Sequence, residues 1–371
     1  MTRTRDHDAC PGALQLHQAA DGPLARIRLP GGMLTAVQLD ALAAAADDLA
    51  AGTLELTARG NVQVRGITDT DAFAAAVADA GLLPSASHEL VRNIVASPLS
   101  GRRGGHADVR PWVSQLDDAI RVDDALAALP GRFLFSLDDG SADVATLAAD
   151  AGALVLGDTA ALLLAGSDTG VRLAPAEVVD ALVTVAERFA AVRENAWRIA
   201  ELADPGVLLD GFTVSAAPLA IGSAAGAPVG WITQDDGRVT LGAAVPLGVL
   251  TARQARFVAA IEAPVVITPW RSLLVCDLDD GVADTSLRVL APLGLVFDDT
   301  SQWLKVSACA GRPGCALSRA DVRADAARAV RAGDVDRAVH YVGCERGCGR
   351  PRHSEVLVAS PQGYVPLATA G

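Results

Sequence analysis

The chain has 371 residues, 51% of them hydrophobic and 20% charged, with a formal net charge of −13 at pH 7. This length predicts two to four domains, the acidity argues against nucleic acid as a partner, and the longest apolar run, residues 158–166, is too short to cross a membrane. The N-terminus lacks the apolar stretch of a signal peptide, so we expect a cytoplasmic protein with no membrane partner.

The first eighty residues predict a β-α-β-β-α order. A strand at 24–29 precedes a helix at 35–51, for which Thr35 is the expected N-cap. Two short strands follow at 53–58 and 61–67, and a second helix covers 69–81. This order is most of a ferredoxin-like unit.

The next segment predicts an α/β arrangement. It contains "VRNIVASPLSG" at 91–101, a helical stretch at 116–129, a strand at 132–139 and an apolar segment at 153–166. A single long helix is predicted over 175–203, where it would link this half of the chain to the next.

The same order of elements then returns. Strands are predicted at 238–243, 264–269 and 271–278, and helices at 251–261 and 282–294. Further elements follow at 304–314, 320–330, 338–344 and 355–368. "PGGMLTAVQ" at 30–38 and "PLGVLTARQ" at 246–254 agree at six of nine positions, which indicates an internal repeat.

The sequence therefore predicts an α+β fold, with two pseudo-repeated copies of a ferredoxin-like half-domain followed by an α/β domain. The expected boundaries are 1–82 and 83–205 for the first copy, and 206–296 and 297–371 for the second. The spacing of the cysteines distinguishes the last segment from its counterpart.

Four of the six cysteines form two pairs after predicted strands, Cys309/Cys315 and Cys344/Cys348. Small residues surround them, so the backbone can approach an inorganic core and donate N–H groups to its sulfurs. An iron–sulfur cluster is the favoured interpretation; a zinc ion, disulfides and free thiols are the alternatives. Cys10 and Cys276 lie outside the pattern and are expected to take no part.

The motif C-x5-C…G-C-x3-C-G within a duplicated fold resembles the sulfite and nitrite reductase family, which holds sirohaem and a [4Fe-4S] cluster. The resemblance covers essentially the whole chain and implies that Cys309, Cys315, Cys344 and Cys348 bind the cluster. In that family the fourth cysteine, here Cys348, also bridges the cluster to the sirohaem iron.

The resemblance also implies a set of cations over the macrocycle. "LTARGNVQVRGI" offers Arg59, and "VRNIVASP" offers Arg92 and Asn93. "LPGRFLF" matches a segment in which the reductases carry two lysines; here they are Arg132 and Leu134. An apolar residue at the second position weakens the case for a reductase, because reduction of a small oxyanion needs several positive charges.

A branch of that family, the precorrin-3B synthases, resembles this chain more closely through "CPGALQLH", "SACAGRPGC" and "GCERGCGRP". The branch converts precorrin-3A and dioxygen into precorrin-3B by hydroxylation beside ring A and lactone formation. Precorrin-3A carries the same fringe of carboxylates as sirohaem, so the same arginines are expected to bind it. Further candidates for that role are Arg65, Arg102, Arg103, Arg312, Arg346 and Arg350.

Dioxygen chemistry needs a redox cofactor, which side chains alone do not supply. The resemblance implies the [4Fe-4S] cluster, a mononuclear non-haem iron, and electrons from NADH through an unidentified donor protein. The histidines (His7, His17, His88, His106, His340 and His353) form no recognisable triad for that iron, and no catalytic residue is assigned. No G-x-G-x-x-G follows a strand, so direct NADH binding is not expected. A sirohaem-dependent sulfite or nitrite reductase is the alternative function, and an iron–sulfur electron carrier is a third hypothesis.

Overall fold

The first helix of each copy begins at its predicted cap. A computed structural model describes residues 10–222, 226–351 and 354–367. In it, the side chain of Thr35 accepts a hydrogen bond from the backbone N–H of Gln38, and the side-chain oxygen of Gln38 accepts one from the backbone N–H of Thr35. Thr251 and Gln254 form the same capping box. The two copies therefore start their helices by the same local chemistry.

The first ferredoxin-like half has five strands and two helices: β1 (His17–Ala19), β2 (Gly22–Ile27), β3 (Met33–Leu34), α1 (Ala36–Leu49), β4 (Thr53–Leu56), β5 (Val62–Arg65) and α2 (Thr70–Asp79). The first α/β part follows with β6 (Ile94–Ala96), α3 (Arg110–Val122), β7 (Phe135–Asp138), β8 (Ala151–Leu156), β9 (Thr159–Leu164), β10 (Ser167–Leu173) and α4 (Val178–Val192).

The second ferredoxin-like half contains β11 (Gly230–Thr233), β12 (Val239–Ala244), β13 (Val249–Thr251), α5 (Ala252–Ala259), β14 (Val265–Ile267), β15 (Ser272–Leu278) and α6 (Asp280–Leu290). The second α/β part contains β16 (Val306–Ala308), α7 (Val322–Ala332), β17 (Val339–Val342), β18 (Glu355–Ser360) and β19 (Gly363–Pro366). The predicted α+β class is confirmed, while the predicted domain boundaries remain a prediction.

The two ferredoxin-like halves exchange strands. The sheet orders are β1-β2-β5-β4-β13 and β11-β12-β15-β14-β3, so each sheet is completed by a short strand of the other copy. Leu250 pairs with Leu54, and Leu34 pairs with Val265. α1 packs on α5, and one apolar core spans both halves. The halves are thus a single folding unit.

The exchange depends on a close backbone approach. Gly32 precedes β3 with a positive φ of 71°, and a Cβ there would lie 2.0 Å from the carbonyl oxygen of Ile267. Only glycine satisfies both conditions.

Each α/β part has its own sheet. The first has the order β10-β9-β8-β7-β6, with β6, β7 and β8 parallel. The second has the order β16-β17-β18-β19, with β16, β17 and β18 parallel. Parallel neighbours end at the same edge, which brings the loops after β16 and β17 together.

The prediction of one long helix over 175–203 is wrong for the residues after 192. α4 ends at Val192, and Glu194 has a positive φ of 45°, which an α-helix does not accommodate. Short 3₁₀ turns follow at Ile199–Glu201 and Pro205–Leu209. Across the described ranges, no helix combines the length and apolarity needed to cross a bilayer.

Candidate functional site

The cysteine pairs lie at the shared edge of β16 and β17. Cys309 directly follows β16, and Cys344 lies two residues after β17. The backbone N–H of Gly343 donates to Sγ of Cys309 at 3.4 Å, and the N–H of Cys309 donates to the carbonyl of Tyr341 at 2.9 Å. The first pair and the second are therefore joined directly, as the strand order predicted.

Electrostatics place all four sulfurs in one neighbourhood. The pKa of Cys348 is raised, first by burial and then by Cys309, Cys344 and Cys315, while Arg346 acts in the opposite direction. Cys348 is the exposed member, and the other three are half-buried. All four are free thiols.

The four sulfurs do not converge on one point. Within the part of the chain that is described, no three His, Cys, Asp or Glu side chains form a group able to hold one metal ion. A structural zinc site needs such convergence, whereas a four-iron cluster takes one thiolate per iron. The backbone N–H of Gly343, which donates to a cysteine sulfur, and the glycine-rich loops therefore fit a four-iron cluster better than a zinc ion.

A buried histidine fixes the second cysteine loop. His340 is fully buried in β17, and burial lowers its pKa to about 4, so the ring is neutral. Its Nε2 lies 3.0 Å from the carbonyl of Cys348, to which it donates, and Ser307 Oγ lies 2.8 Å from Nδ1. This histidine positions the loop, and its two ring nitrogens are both engaged.

Each ferredoxin-like half also contacts a cysteine loop. Arg65 of the first half donates to the carbonyl of Gly314 at 2.7 Å and forms two bonds with Asp21. Arg271 of the second half donates to the carbonyl of Gly349 at 3.0 Å. Arg65 was a candidate for binding substrate carboxylates; that expectation is wrong, because Asp21 and the loop occupy its guanidinium.

A second cluster of charge lies where the first half meets the first α/β part. Arg59 lies in the turn between β4 and β5, and burial followed by the charge of Arg198 lowers its pKa to about 10. Arg28 is 2% exposed, and burial followed by the charge of Arg26 lowers its pKa to about 9. We call Arg26, Arg28, Arg59 and Arg198 the arginine cluster.

Two members of the arginine cluster, Arg28 and Arg59, have guanidinium groups that pair with no carboxylate among the described residues. Asp150 bonds Arg198 and the backbone N–H groups of Leu134 and Ile199. Glu89 instead accepts three backbone N–H groups of residues 13–15. Nη2 of Arg28 has no partner among the described residues, and the Arg59 guanidinium forms no hydrogen bond or ion pair with any of them. Buried cations without partners are costly, so this surface is suited to an anionic ligand.

Polar contacts link the arginine cluster to the cysteine loops. Arg26 bonds Gln63 at 2.8 Å, and Gln63 bonds Glu55 at 2.9 Å. Glu55 in turn lies 4.0 Å from Nε of Arg65, which donates to the carbonyl of Gly314 in the first cysteine loop. The two charged regions therefore share one bonded network.

The sequence candidates did not include Arg26, Arg28 or Arg198. In "ARIRL" the two arginines alternate with the fully buried Ala25 and Ile27, Arg26 within β2 and Arg28 directly after it, and this alternation was available in the sequence. Cys10 was expected to lie outside the cysteine pattern, and this stays a prediction. It lies close enough to Arg28 and Arg59 to act in favour of their charged forms, against the larger effect of burial, which lowers the pKa of both.

The other candidate arginines have different surroundings. Arg92 is buried and bonds Asp117 through two contacts of 2.6 and 2.9 Å, while the Asn93 side chain bonds Asn61 and two carbonyls. Arg132 is exposed and lies 5.0 Å from the ring of Trp197. The structure therefore brings Arg59 to the arginine cluster and neutralises Arg92 locally.

Near the cysteines, Arg312 is exposed and its Nε donates to the carbonyl of Ser318, while Arg346 and Arg350 are exposed in the second loop. Arg102 was another candidate for substrate binding; that expectation is wrong, because it is buried and bonds both oxygens of Asp277 at 2.8 and 2.9 Å. Arg103 is exposed in the same loop.

Leu134 lies in an apolar cluster with Val95, Val144 and Ala149, against which Trp270 packs. A lysine there would lose its hydration without gaining a carboxylate from that cluster. Among the histidines, His88 bonds Ser85, Ser87 and the carbonyl of Asp123. His7 and His353 lie outside the described residues, and no ligand set for a second iron is found within them.

A cavity of about 300 Å³ lies beside Arg28 and Arg92, with Gln38, Leu82 and Asp117 also in its walls. This volume is at the lower end of the range for small-molecule sites.

Residues 17–76 match the family of nitrite/sulfite reductase ferredoxin-like half domains. The chain is 30% identical over 378 aligned positions to a precorrin-3B synthase from Sinorhizobium sp, and the match covers 96% of this chain and 81% of that protein. Its fold is similar to that of the NirA protein of Mycobacterium tuberculosis, with a TM-score of 0.77 and 20% identity, over 93% of this chain and 73% of the other.

Proposed function

The chain belongs to the precorrin-3B synthase family, whose members are oxidoreductases with the sulfite/nitrite reductase fold, and from this premise we propose that it is a monooxygenase that converts precorrin-3A into precorrin-3B. One oxygen atom of dioxygen enters the product, and the other leaves as water. Two electrons and two protons come from the reductant, NADH, through a donor protein that is not identified.

The observation that carries the proposal is that Nη2 of Arg28 and the Arg59 guanidinium have no partner among the described residues. Precorrin-3A bears acetate and propionate carboxylates around its rim, and a carboxylate binds a guanidinium through two charge-assisted hydrogen bonds. Such bonds would supply the anions that Arg28 and Arg59 lack. Binding would therefore orient the macrocycle as well as hold it.

The chain's residues then have separate tasks in this proposal. Arg28 and Arg59 bind rim carboxylates, and Asp150 holds Arg198 next to them. Arg312, Arg346 and Arg350 are exposed close to the cysteines in sequence and would bind carboxylates at that edge of the macrocycle. Arg92 and Asn93 support the site indirectly, because Asp117 and the backbone occupy their side chains.

Cys309, Cys315, Cys344 and Cys348 would hold a [4Fe-4S] cluster. When bound, this cluster supplies one-electron transfer, which dioxygen chemistry requires. The N–H of Gly343 would stabilise the thiolate of Cys309, and His340 and Arg271 would keep the Cys348 loop in place. A mononuclear non-haem iron, which the family resemblance implies, has no ligands assigned among the described residues.

The alternative, a sirohaem-dependent sulfite or nitrite reductase, has less support. Leu134 is 5% exposed and packed in an apolar cluster, at a position where the reductases place a lysine. The likeness to NirA is at 20% identity and concerns the fold. A small oxyanion would meet an apolar surface at this point.

The test combines the purified full-length protein with precorrin-3A and ¹⁸O₂. Electrons are supplied by NADH through the donor proteins of a cell extract. One ¹⁸O atom per product molecule is expected, with less product at limiting precorrin-3A when Arg59 is replaced by alanine. A bound sirohaem spectrum with turnover of sulfite or nitrite, and no labelled product, would contradict the proposal and favour the reductase.

A further inference from the structure

The two copies contain the same turn between their central strands. In the first, the N–H of Thr57 bonds the carbonyl of Asn61 at 2.9 Å, and the N–H of Gly60 bonds the carbonyl of Thr57 at 3.2 Å. In the second, Thr268 bonds Ser272 at 2.9 Å. The bond from Arg271 to Thr268, at 3.1 Å, completes the same pattern.

This pattern fixes the correspondence residue by residue. Gly60 and Arg271 are equivalent, and both have positive φ, 67° and 58°. The residue before each is then also equivalent, so Trp270 occupies in the second copy the position of Arg59 in the first. The repeat has placed a large aromatic ring where its partner has a cation.

Trp270 lies between the two charged regions. Its neighbour Arg271 donates to Gly349, next to Cys348. On the other side, Trp270 packs against the cluster that includes Val95 and Leu134. The N–H of Leu134 donates to Asp150 at 2.9 Å, and Asp150 bonds Arg198 of the arginine cluster.

Trp270 is only partly buried, whereas Val95 and Leu134 beside it are 2% and 5% exposed. The indole therefore keeps part of its flat apolar surface accessible while it packs against these buried residues. We call Trp270, together with the buried Leu134 and Val95 against which it packs, the apolar platform.

We propose that Trp270 determines specificity by receiving the face of the tetrapyrrole on this apolar platform. The inference rests on the proposed function and adds a residue that the arginine cluster does not include. A tetrapyrrole has an apolar ring system inside a rim of carboxylates, so it needs cations at its edge and a flat apolar surface beneath it. A small hydrated oxyanion gains nothing from such a surface and loses water against it.

The experiment measures binding of uroporphyrin, a stable octacarboxylate macrocycle, to the full-length protein by the change in its absorption spectrum. Trp270→Leu keeps apolar packing on Leu134 but removes the flat ring, and we expect binding about tenfold weaker. Trp270→Phe keeps a ring and should retain most of the affinity. Trp231→Leu, at a 43% exposed position on β11, is the matched control and should bind like the unmodified chain.

Arg59→Ala distinguishes a failure of the Trp270 proposal from a failure of the proposed function. If it weakens uroporphyrin binding while Trp270→Leu does not, the role of Trp270 is overturned and the proposed function stands. If neither substitution changes binding, both fail. Should Trp270→Leu not fold, Trp270→Met fills the same space with a flexible chain, and equal affinity of the Met and Phe variants would also overturn the role of a flat ring.

Discussion

The two α/β parts share the order of their first four strands, β6 to β9 and β16 to β19, but differ in what fills them. The first has a large apolar core that includes the fully buried rings of Phe133, Phe135 and Phe189. Among the described residues, the core cluster of the second has six small buried members: Val306, Ala308, Val322, Ala326, Val335 and Val339. Two tyrosine rings pack at its border, 4.9 Å apart. The part that carries the cysteines therefore has the weaker core.

The difference indicates what the cysteines contribute. A domain with little apolar burial needs another source of stability, and a metal site can provide it because binding to the folded form is folding free energy. The first part needs no such contribution, and it has no cysteine in its loops. One copy is stabilised by packing, and in the other the proposed cofactor is also a structural element.

Removing one cluster ligand should give the largest effect. Cys344→Ser is expected to abolish bound iron and sulfide and to expose β16 to β19 to rapid hydrogen exchange, while β6 to β10 stay protected. Metal analysis and exchange mass spectrometry measure both outcomes. Cys276→Ser makes the same chemical change at a buried cysteine outside the loops and should leave the iron content unchanged. Equal protection of both α/β parts in Cys344→Ser would refute the structural role.

A pair of arginines sharpens the comparison between binding and support. Arg59→Ala removes a partly desolvated cation without a partner, so we expect uroporphyrin binding to weaken roughly tenfold to a hundredfold with thermal stability unchanged or higher. Titration and a melting curve on the same sample test both parts. Lower stability with unchanged binding would show that Arg59 is a structural residue.

Arg102→Ala is the matched control, with the opposite expected outcome. It leaves the Asp277 carboxylate without its two bonds from the guanidinium, which should cost about 3 kcal/mol of unfolding free energy. Uroporphyrin binding should not change. The two substitutions thus distinguish a guanidinium that binds the ligand from one that forms an ion pair between the two copies.

Much of this arrangement followed from local pattern. The helix caps at Thr35 and Thr251 and the order of elements depend on residues close in sequence, and they are confirmed. The two cysteine pairs follow neighbouring strands as expected, but among the described residues their sulfurs do not meet at one point, and the cluster they would hold stays a prediction. The strand exchange could not be predicted in this way, because β3 and β13 have only two and three residues and no recognisable strand pattern. Their pairing is decided by the approach of two copies over two hundred residues apart.

The same reason explains why the surroundings of two candidate arginines were not foreseen. Arg92 and Arg102 have the same chemistry as Arg59, and each was a reasonable candidate from its motif. Their carboxylate partners, Asp117 and Asp277, lie 25 and 175 residues away. Whether a guanidinium is free for a ligand depends on such distant partners, which sequence spacing does not reveal.

Arg271 tests how the second copy supports its loop. Its φ of 58° favours glycine, so Arg271→Gly relieves strain of about 1 kcal/mol while removing the donor to Gly349. We expect a fold at least as stable and a cluster that is lost several times faster to a chelator. Glu262→Gly relieves the same kind of strain, at a φ of 58° on an exposed turn, without touching the loop. Equal rates of cluster loss in the two variants would exclude a positioning role.

The smallest expected effect concerns how much the half-buried carboxylate of Asp143 destabilises the first α/β part when it is ionised. Asp143 bonds Ser97 at 2.6 Å near Asp138 and Asp139, and burial, with those two charges, raises its pKa to about 6. The unfolded chain releases this proton near pH 4, so between about pH 4 and 6 the folded state binds more protons, and stability falls as the pH rises. Asp143→Asn should therefore raise stability at pH 7.5 by about 1–2 kcal/mol and flatten the fall between pH 4 and 6, as followed by urea unfolding. Asp158→Asn, at an exposed turn of the same sheet, should leave the slope unchanged; the same slope in both variants would mean that Asp143 is ionised in the folded chain and that packing in this part tolerates the charge.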